Sequence, residues 1–387
     1  MVQFLLRTAT ESGDRVIGRS GERKPTRPSS FRLLLTTHGL LSTAYCLLFL
    51  LLPGVVAARS KSQPAGPVTV PELELTGGRK LRYEGSISSE KETRNPHRFW
   101  GRVLDVVAGE PDFHALINPY SVVTDSQGRI IVTDPGASGI HIFDFAQHKY
   151  KFLSRIRDVD GLSSPQCVAV DADDNIYVTD SYEGKVFVFH PNGKFQRVIG
   201  SIKGEGYFKR ATGIAVDSRA QRIYVTDTLR NQVWVLDLQG EIVQKIGLRG
   251  AGAGEFNYPT ELRFDGRDLL VVDAMNFRVQ ILDRTGHFRS ALGDGAGSMF
   301  RPKGIGVDSE GHVYVVDGLG GMVQVFDRQG QLLYCFGQKG TGLGEFQLPT
   351  GLFIDRNDGV FVVDSYNRRV QVFQYFALGK ESGLVGR

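Results

Sequence analysis

The chain has 387 residues, 41% of them hydrophobic and 47 of them glycine, enough for a large core broken by many turns. Its formal charge of +4 is uneven: residues 1–61 carry nine basic and three acidic side chains, leaving 37 basic against 39 acidic for the rest. A near-neutral body lacks the electrostatic footprint of phosphate-backbone binding, so no nucleic acid partner is expected, and three cysteines are too few for a disulfide framework.

In chain order, seven basic residues (Arg7, Arg15, Arg19, Arg23, Lys24, Arg27, Arg32) precede a stretch from Leu33 to Ala58 without Asp, Glu, Lys or Arg. A basic front, an apolar core and the small residues Val56-Ala57-Ala58 fit a secretory signal peptide. The same 26 residues are long enough to span a bilayer as an uncleaved anchor. Either way the charge bias sends the body of the chain outward. The expected location is therefore exported, periplasmic or extracellular, with Leu33–Ala58 as the tie to the inner membrane if it is retained. Tyr45 before Cys46 argues against a lipoprotein signal, and the length of the lead segment suggests a start downstream of Met1. Residues 59–95, with Pro64, Pro67 and Pro71, read as a polar linker, with at most a short strand near Leu81-Arg82-Tyr83.

From there the chain repeats. First-strand starts fall at Pro119, Pro165, Ala211, Pro259, Pro302 and Pro349. Each leads to an aspartate after one strand (Asp125, Asp171, Asp217, Asp265, Asp308, Asp355). A second strand then ends in Val-Thr-Asp or Val-Val-Asp at Asp134, Asp180, Asp227, Asp273, Asp317 and Asp364. Third strands come next as IHIF, VFVF, VWVL, VQIL, VQVF and VQVF. Four strand-length runs per unit, β-branched or aromatic and separated by Gly, Asp and Ser breakers, predict an antiparallel meander. A period of about 40–50 residues predicts an all-β, six-bladed propeller of four-stranded blades. The last unit shows no clear fourth strand after Val370–Phe373, and Arg102–Gly109 resembles the missing one, so this N-terminal strand is expected to complete the last blade and seal the ring. Cys167 and Cys335 fall in strands of distant blades and are expected to be buried free thiols.

The pattern P-x-G-[IL]-x-[VI]-D, YV[TV]D, N-x-x-V-Q-V-F and G-x-G-x-x-x-F resembles NHL repeats over about Pro96 to Phe376, with units two to six close and the first looser. The resemblance, to the exported bacterial type, implies a six-bladed propeller used as a binding platform. It does not fix a ligand, since the fold hosts enzymes as well as binding modules.

Loops after strands two and four share one face and are the longer, more varied ones, where binding usually sits. On the second-to-third turns, Tyr182, Arg230, Asn231, Met275, Asn276, Phe277, Tyr366, Asn367 and Arg368 are the candidate contacts for a protein, peptide or glycan. Near the axis, the paired inner positions are small or apolar except Glu261/Arg263, which share one side of a strand. With Lys303 they are candidates for a polar spot in the central channel; a structural ion pair is the competing reading. The strand-end aspartates recur in every unit, which assigns them to turns rather than to a metal. The eight histidines show no ligand spacing, and no nucleophile elbow, P-loop or HExxH is present.

The domain reading is 1–58 leader, 59–95 linker, 96–376 propeller and 377–387 tail. The functional reading is an exported, non-enzymatic, monomeric binding platform that needs no cofactor and meets a membrane only through its N-terminal segment. The alternative is a metal-dependent lyase or hydrolase acting in the channel.

Overall fold

Six short innermost strands ring a central axis: Ser121–Thr124, Pro165–Val170, Ala211–Asp217, Pro259–Phe264, Pro302–Val307 and Leu352–Ile354. Each begins an antiparallel sheet that runs outward; blade five, for example, continues through Val313–Asp317, Met322–Phe326 and Leu332–Phe336. These observations come from a computed structural model, which describes residues 71–75, 78–93, 113–154, 161–202, 205–293 and 299–377. The expected leader, the 102–109 stretch and the tail beyond Ala377 lie outside the described residues. Among the described residues no helix is long and apolar enough to cross a membrane.

Sequence and burial agree strand by strand. Second strands such as Ile130–Asp134 and Val313–Asp317 are buried at every position, because neighbouring blades cover both of their faces. Outer strands such as Leu332–Phe336 bury only one end. Apolar side chains interlock from blade to blade: Cys167, Tyr177 and Val186 of blade two pack with Ile223, Val225 and Trp234 of blade three. At the centre the innermost strands approach closely. A Cβ at Gly304 would lie 2.3 Å from the Leu352 amide nitrogen, so only glycine permits this spacing. Threonine hydroxyls then bridge the blades, with Thr226 donating to the Thr260 carbonyl (3.2 Å) and Thr350 to that of Tyr120 (2.8 Å), which joins blade six to blade one.

Ring closure by an N-terminal strand is present, but a different segment performs it. Lys80–Ile87 pairs antiparallel with Arg369–Phe376, from Lys80 opposite Phe376 to Ile87 opposite Val370. Glu72–Glu74 adds a further edge outside it. The edge assigned to Arg102–Gly109 is therefore already occupied, and part of the 59–95 linker belongs to the propeller sheet. The reason is packing: Leu81, Tyr83 and Ile87 are buried, and the Tyr83 ring meets Phe373 edge-on at 5.5 Å. Charge adds a latch, because the Arg79 guanidinium grips Glu310 of blade five through two hydrogen bonds of 2.9 and 3.1 Å. Cys167 is buried as expected, whereas Cys335 is exposed, since it lies on the solvent side of an outer strand.

Tyr83→Ala is expected to cost about 3 kcal/mol, as for other buried aromatics, and to lower Tm by roughly 6–12 °C; an unchanged melting curve would mean that this strand does not seal the ring. The hydrogen-bonded Arg79 guanidinium holds the Glu310 carboxyl down at about 2. The latch therefore stabilises fully above the ordinary glutamate range and is lost as pH falls from about 4.5 through 2. Glu310→Gln should flatten the acid dependence of Tm in that window, while leaving the region above about pH 6 parallel to the parent.

Candidate functional site

The loop face is built on the strand-end aspartates. Each second strand delivers its aspartate, at most 1% exposed, beneath the turn. There the carboxylate accepts backbone N–H groups from the segment leading into the inner strand of the same blade: Ile117 and Asn118 on Asp134, Ser163 and Ser164 on Asp180, Lys209 and Arg210 on Asp227, Asn257 on Asp273, Phe300 and Arg301 on Asp317, Gln347 on Asp364. The turn role of these aspartates is thus a set of contacts that fix both loops of the face at once.

That scaffold divides the candidate residues in two. Asn276 donates to Asp273 and to the Gly250 carbonyl (both 2.8 Å), and Asn367 does the same to Asp364 (2.8 Å) and Gly340 (2.9 Å). The Asn231 amide oxygen accepts the Tyr258 N–H at 3.0 Å. Arg230 donates to Asp227 (2.5 Å) and to the Tyr207 carbonyl (2.8 Å), with its guanidinium 5.2 Å from the Trp234 ring. These four side chains hold the loops through hydrogen bonds of their own, and Arg230 remains exposed while doing so. The remaining candidates face solvent: Tyr182 is 81% exposed, Tyr366 65%, Met275 53% and Phe277 50%.

Phe277 and Arg368 share a further property. The residue four positions after each strand-end aspartate is left-handed in all six blades, at Ser138, Gly184, Asn231, Phe277, Gly321 and Arg368. Glycine and asparagine adopt that backbone readily; phenylalanine does so at a cost of about 1–2 kcal/mol. Sequence reasoning passed over the residues immediately before the expected strand starts at Ala211, Pro259, Pro302 and Pro349, namely Arg210, Tyr258, Arg301 and Leu348, although their fixed offset was visible. Phe300 beside Arg301 is 59% exposed.

The three channel candidates succeed one another along the bore rather than lining one cavity. The bore holds two cavities that share no lining residue: about 410 Å³ on the loop face, lined by Lys303, Arg210 and Arg301 among others, and about 400 Å³ at the opposite mouth, where Arg263 lies. Glu261 lines neither. Its carboxylate crosses the bore to the Cys167 thiol of blade two (3.1 Å), and Arg263 lays its guanidinium 4.3 Å from the Phe353 ring of blade six. The ion pair weighed for Glu261 and Arg263 is absent: neither joins an ion pair among the described residues. Both side chains keep some solvent contact along the bore yet are crowded by protein on every side. Burial pushes the Glu261 carboxyl up to about 7, against the opposing pull of the Cys167 hydrogen bond and of Arg263 and Lys303. Burial lowers Arg263 to about 10 and also lowers Lys303, with Arg301 adding like-charge repulsion. Among the described residues no group of three or more His, Cys, Asp or Glu side chains is placed to hold a metal ion.

Because folding raises the Glu261 carboxyl above its unfolded value, its contribution favours the native state below about pH 4.5 and is lost as pH rises through 7. Glu261→Gln is therefore expected to match the parent in Tm near pH 4 and to exceed it at about pH 8. A variant less stable than the parent at that higher pH would show the carboxylate to be a paired, stabilising charge instead.

A family profile described as a 6-bladed beta-propeller matches residues 165–221, 215–291 and 307–379. The chain is 33% identical over 198 residues to NHL repeat-containing protein 2 of Bos taurus, a match that covers 44% of this chain and 26% of that protein. It is 28% identical over 136 residues to Protein brain tumor of Drosophila melanogaster, covering 34% of this chain and 13% of that one. The chain thus spans about a quarter or less of the length of the curated relatives it matches. Among solved structures, it is similar to a Bacteroides thetaiotaomicron protein of unknown function (TM-score 0.55, 14% identity, 77% of this chain and 76% of that one). A streptogramin B lyase also matches (TM-score 0.51, 14% identity, 67% and 94%). At such identities these structures show the fold alone.

Proposed function

The chain belongs to the 6-bladed beta-propeller family and carries NHL repeats, and from that premise we propose that it is a non-enzymatic platform whose loop face binds a protein or peptide. The observation that carries this reading is the apolar rim. Tyr182, Met275, Phe277, Phe300 and Tyr366 are each at least half exposed on one face of a rigid ring. A concentration of large apolar side chains on one surface of a soluble fold marks an interaction site. The basic residues Arg210, Arg301 and Arg368 on the same rim favour a partner with acidic groups.

The alternative reading, a metal-dependent lyase or hydrolase in the bore, draws support only from the fold it shares with a lyase. The bore is interrupted by Glu261 and Arg263 and leaves no cavity around a cluster of potential metal ligands among the described residues. Export remains part of the proposal on the strength of the basic front and the uncharged Leu33–Ala58 stretch; the mass of the N-terminal peptide of the secreted or membrane fraction tests it.

Selection of a random peptide display library on the full chain is expected to enrich peptides that combine aromatic or aliphatic residues with Asp or Glu. Tyr182→Ala, Met275→Ala and Tyr366→Ala should each weaken the enriched peptides by about fivefold or more at unchanged Tm, since exposed substitutions shift stability by only about 0.5 kcal/mol. Peptides indifferent to all three substitutions would refute the loop-face assignment. A glycan array run beside the selection reads out sugar binding on the same aromatic rim. Phe277→Asn provides an independent check: the left-handed site is expected to gain up to about 1 kcal/mol of stability while peptide binding falls. Falling stability would mean that Phe277 serves the fold.

A further inference from the structure

Within the loop face, the mouth of the bore differs from the rim around it. Arg210 of blade three, with Arg301 and Lys303 of blade five, lines the cavity of about 410 Å³. None of the three side chains forms an ion pair or donates a hydrogen bond among the described residues, and Lys303 is partly buried, its ammonium 5.6 Å from the Tyr120 ring. Arg210 and Arg301 are exposed, whereas Lys303 is half-buried without the partner that such a charge requires, and both arginines repel it. The floor supplies a further unused group: the Thr260 hydroxyl is buried, lines the same cavity and has no hydrogen-bond partner among the described residues. The walls are apolar where Met275, Phe277 and Phe300 reach the rim.

We infer that this mouth is a carboxylate-binding site, in which Arg210, Arg301 and Lys303 hold the carboxylate of a peptide while the adjacent apolar wall takes a neighbouring aromatic or aliphatic side chain. The inference rests on the binding-platform reading and deepens it, naming the group the partner presents. Arginine offers a planar fork of donors that matches a carboxylate, and Lys303 adds a point charge from below. An anion here removes the mutual repulsion of the cations, so its binding gains from a strain already present in the unliganded ring. Glu261 sits beneath as the competing acid. The groups that face it are Cys167 from blade two, Lys303 from blade five, Arg263 from its own strand and Tyr120 from blade one. As pH rises past neutrality Glu261 ionises and draws on Lys303, so affinity for an external carboxylate is expected to fall.

The probes are N-acetyl-phenylalanine, with a terminal carboxylate; N-acetyl-Phe-Asp-amide, with a side-chain carboxylate; N-acetyl-phenylalanine amide, with none; and phenyl phosphate. Each is titrated into the full chain by NMR or calorimetry. The expected result is binding of one or both carboxylates, with the neutral amide weaker by about tenfold or more; whichever carboxylate binds more tightly identifies its source. Lys303→Met, Arg210→Ala and Arg301→Ala should each reduce carboxylate binding several-fold with Tm unchanged, and Glu261→Gln should remove the loss of affinity between about pH 6 and 8. An amide that binds as well as the acid, variants that bind as the parent does, or phenyl phosphate that outbinds both carboxylates would overturn the inference. The two readings fail separately. Carboxylate binding abolished by Lys303→Met, without any peptide enriched in the display selection, would remove the platform and keep the site. Enriched peptides free of acidic residues and indifferent to Arg210→Ala and Arg301→Ala would keep the platform and remove the site.

Discussion

A buried carboxylate at the end of each second strand is the constraint on which the rest of the loop face depends. An aspartate out of contact with water must have its charge met by donors, and here the donors are the amides of the connecting segment. Four of the blades show the two extremes by which this demand is met. Asp180 and Asp317 each accept four backbone N–H groups and need no side chain. Asp273 and Asp364 instead collect an asparagine, an arginine and a glutamine from the third strand and the turn before it: Asn276, Arg278 and Gln280 in one, Asn367, Arg369 and Gln371 in the other. Those side chains also donate to carbonyls of the preceding glycine-rich loop, at Gly250, Gly252 and Glu255 and at Gly340, Gly342 and Glu345. The NHL pattern is thereby explained physically, as its Asn, Gln and Gly-x-Gly positions are the two halves of one hydrogen-bonded unit.

The bore obeys a second, steric constraint. Gly213, Gly304 and Gly351 admit the neighbouring strand so closely that no side chain fits. At the same level blade two has Cys167 and blade four has Glu261, whose side chains meet across the axis. Lysine, glutamate and arginine thus succeed one another along the bore without forming ion pairs. Cation–ring contacts (Lys303 with Tyr120, Arg263 with Phe353) and a thiol–carboxylate contact stand in their place. The centre is filled and its two mouths are separate, which turns each face into a surface of its own.

The six-fold architecture was legible in the sequence because its signals are local: strand-length runs, a fixed period and an aspartate at each strand end. The turn role of those aspartates was legible for the same reason. The closing strand was not. Lys80–Ile87 and Arg102–Gly109 are both strand-length segments with several apolar residues, and it is the fit of Tyr83 against Phe373, nearly three hundred residues away, that favours the first. Within the candidate site, the exposed Tyr182 and Tyr366 were readable as loop aromatics, but the internal duties of Asn231, Asn276, Asn367 and Arg230 depend on carbonyls and amides brought in by neighbouring connections. Arg210 and Arg301 belong to different blades, and their convergence on one cavity is a property of the closed ring.

The left-handed turn residue is where the loop face departs from what the backbone alone favours. Glycine stands there in blades two and five, and at Gly184 a Cβ would fall 2.2 Å from the Phe208 carbonyl oxygen, so the fold itself dictates the residue. Blade three uses Asn231, which tolerates the conformation and spends its side chain on Tyr258. Blade four places Phe277 in the same backbone, and half of that side chain remains in solvent. Burial does not compensate the strain, and no hydrogen bond can. Strain of this kind, uncompensated within the fold, is consistent with the loop-face site proposed above. Phe277 lines the same cavity as Arg210, Arg301 and Lys303, so a left-handed residue with half of its side chain in solvent stands beside three cations that form no ion pair among the described residues.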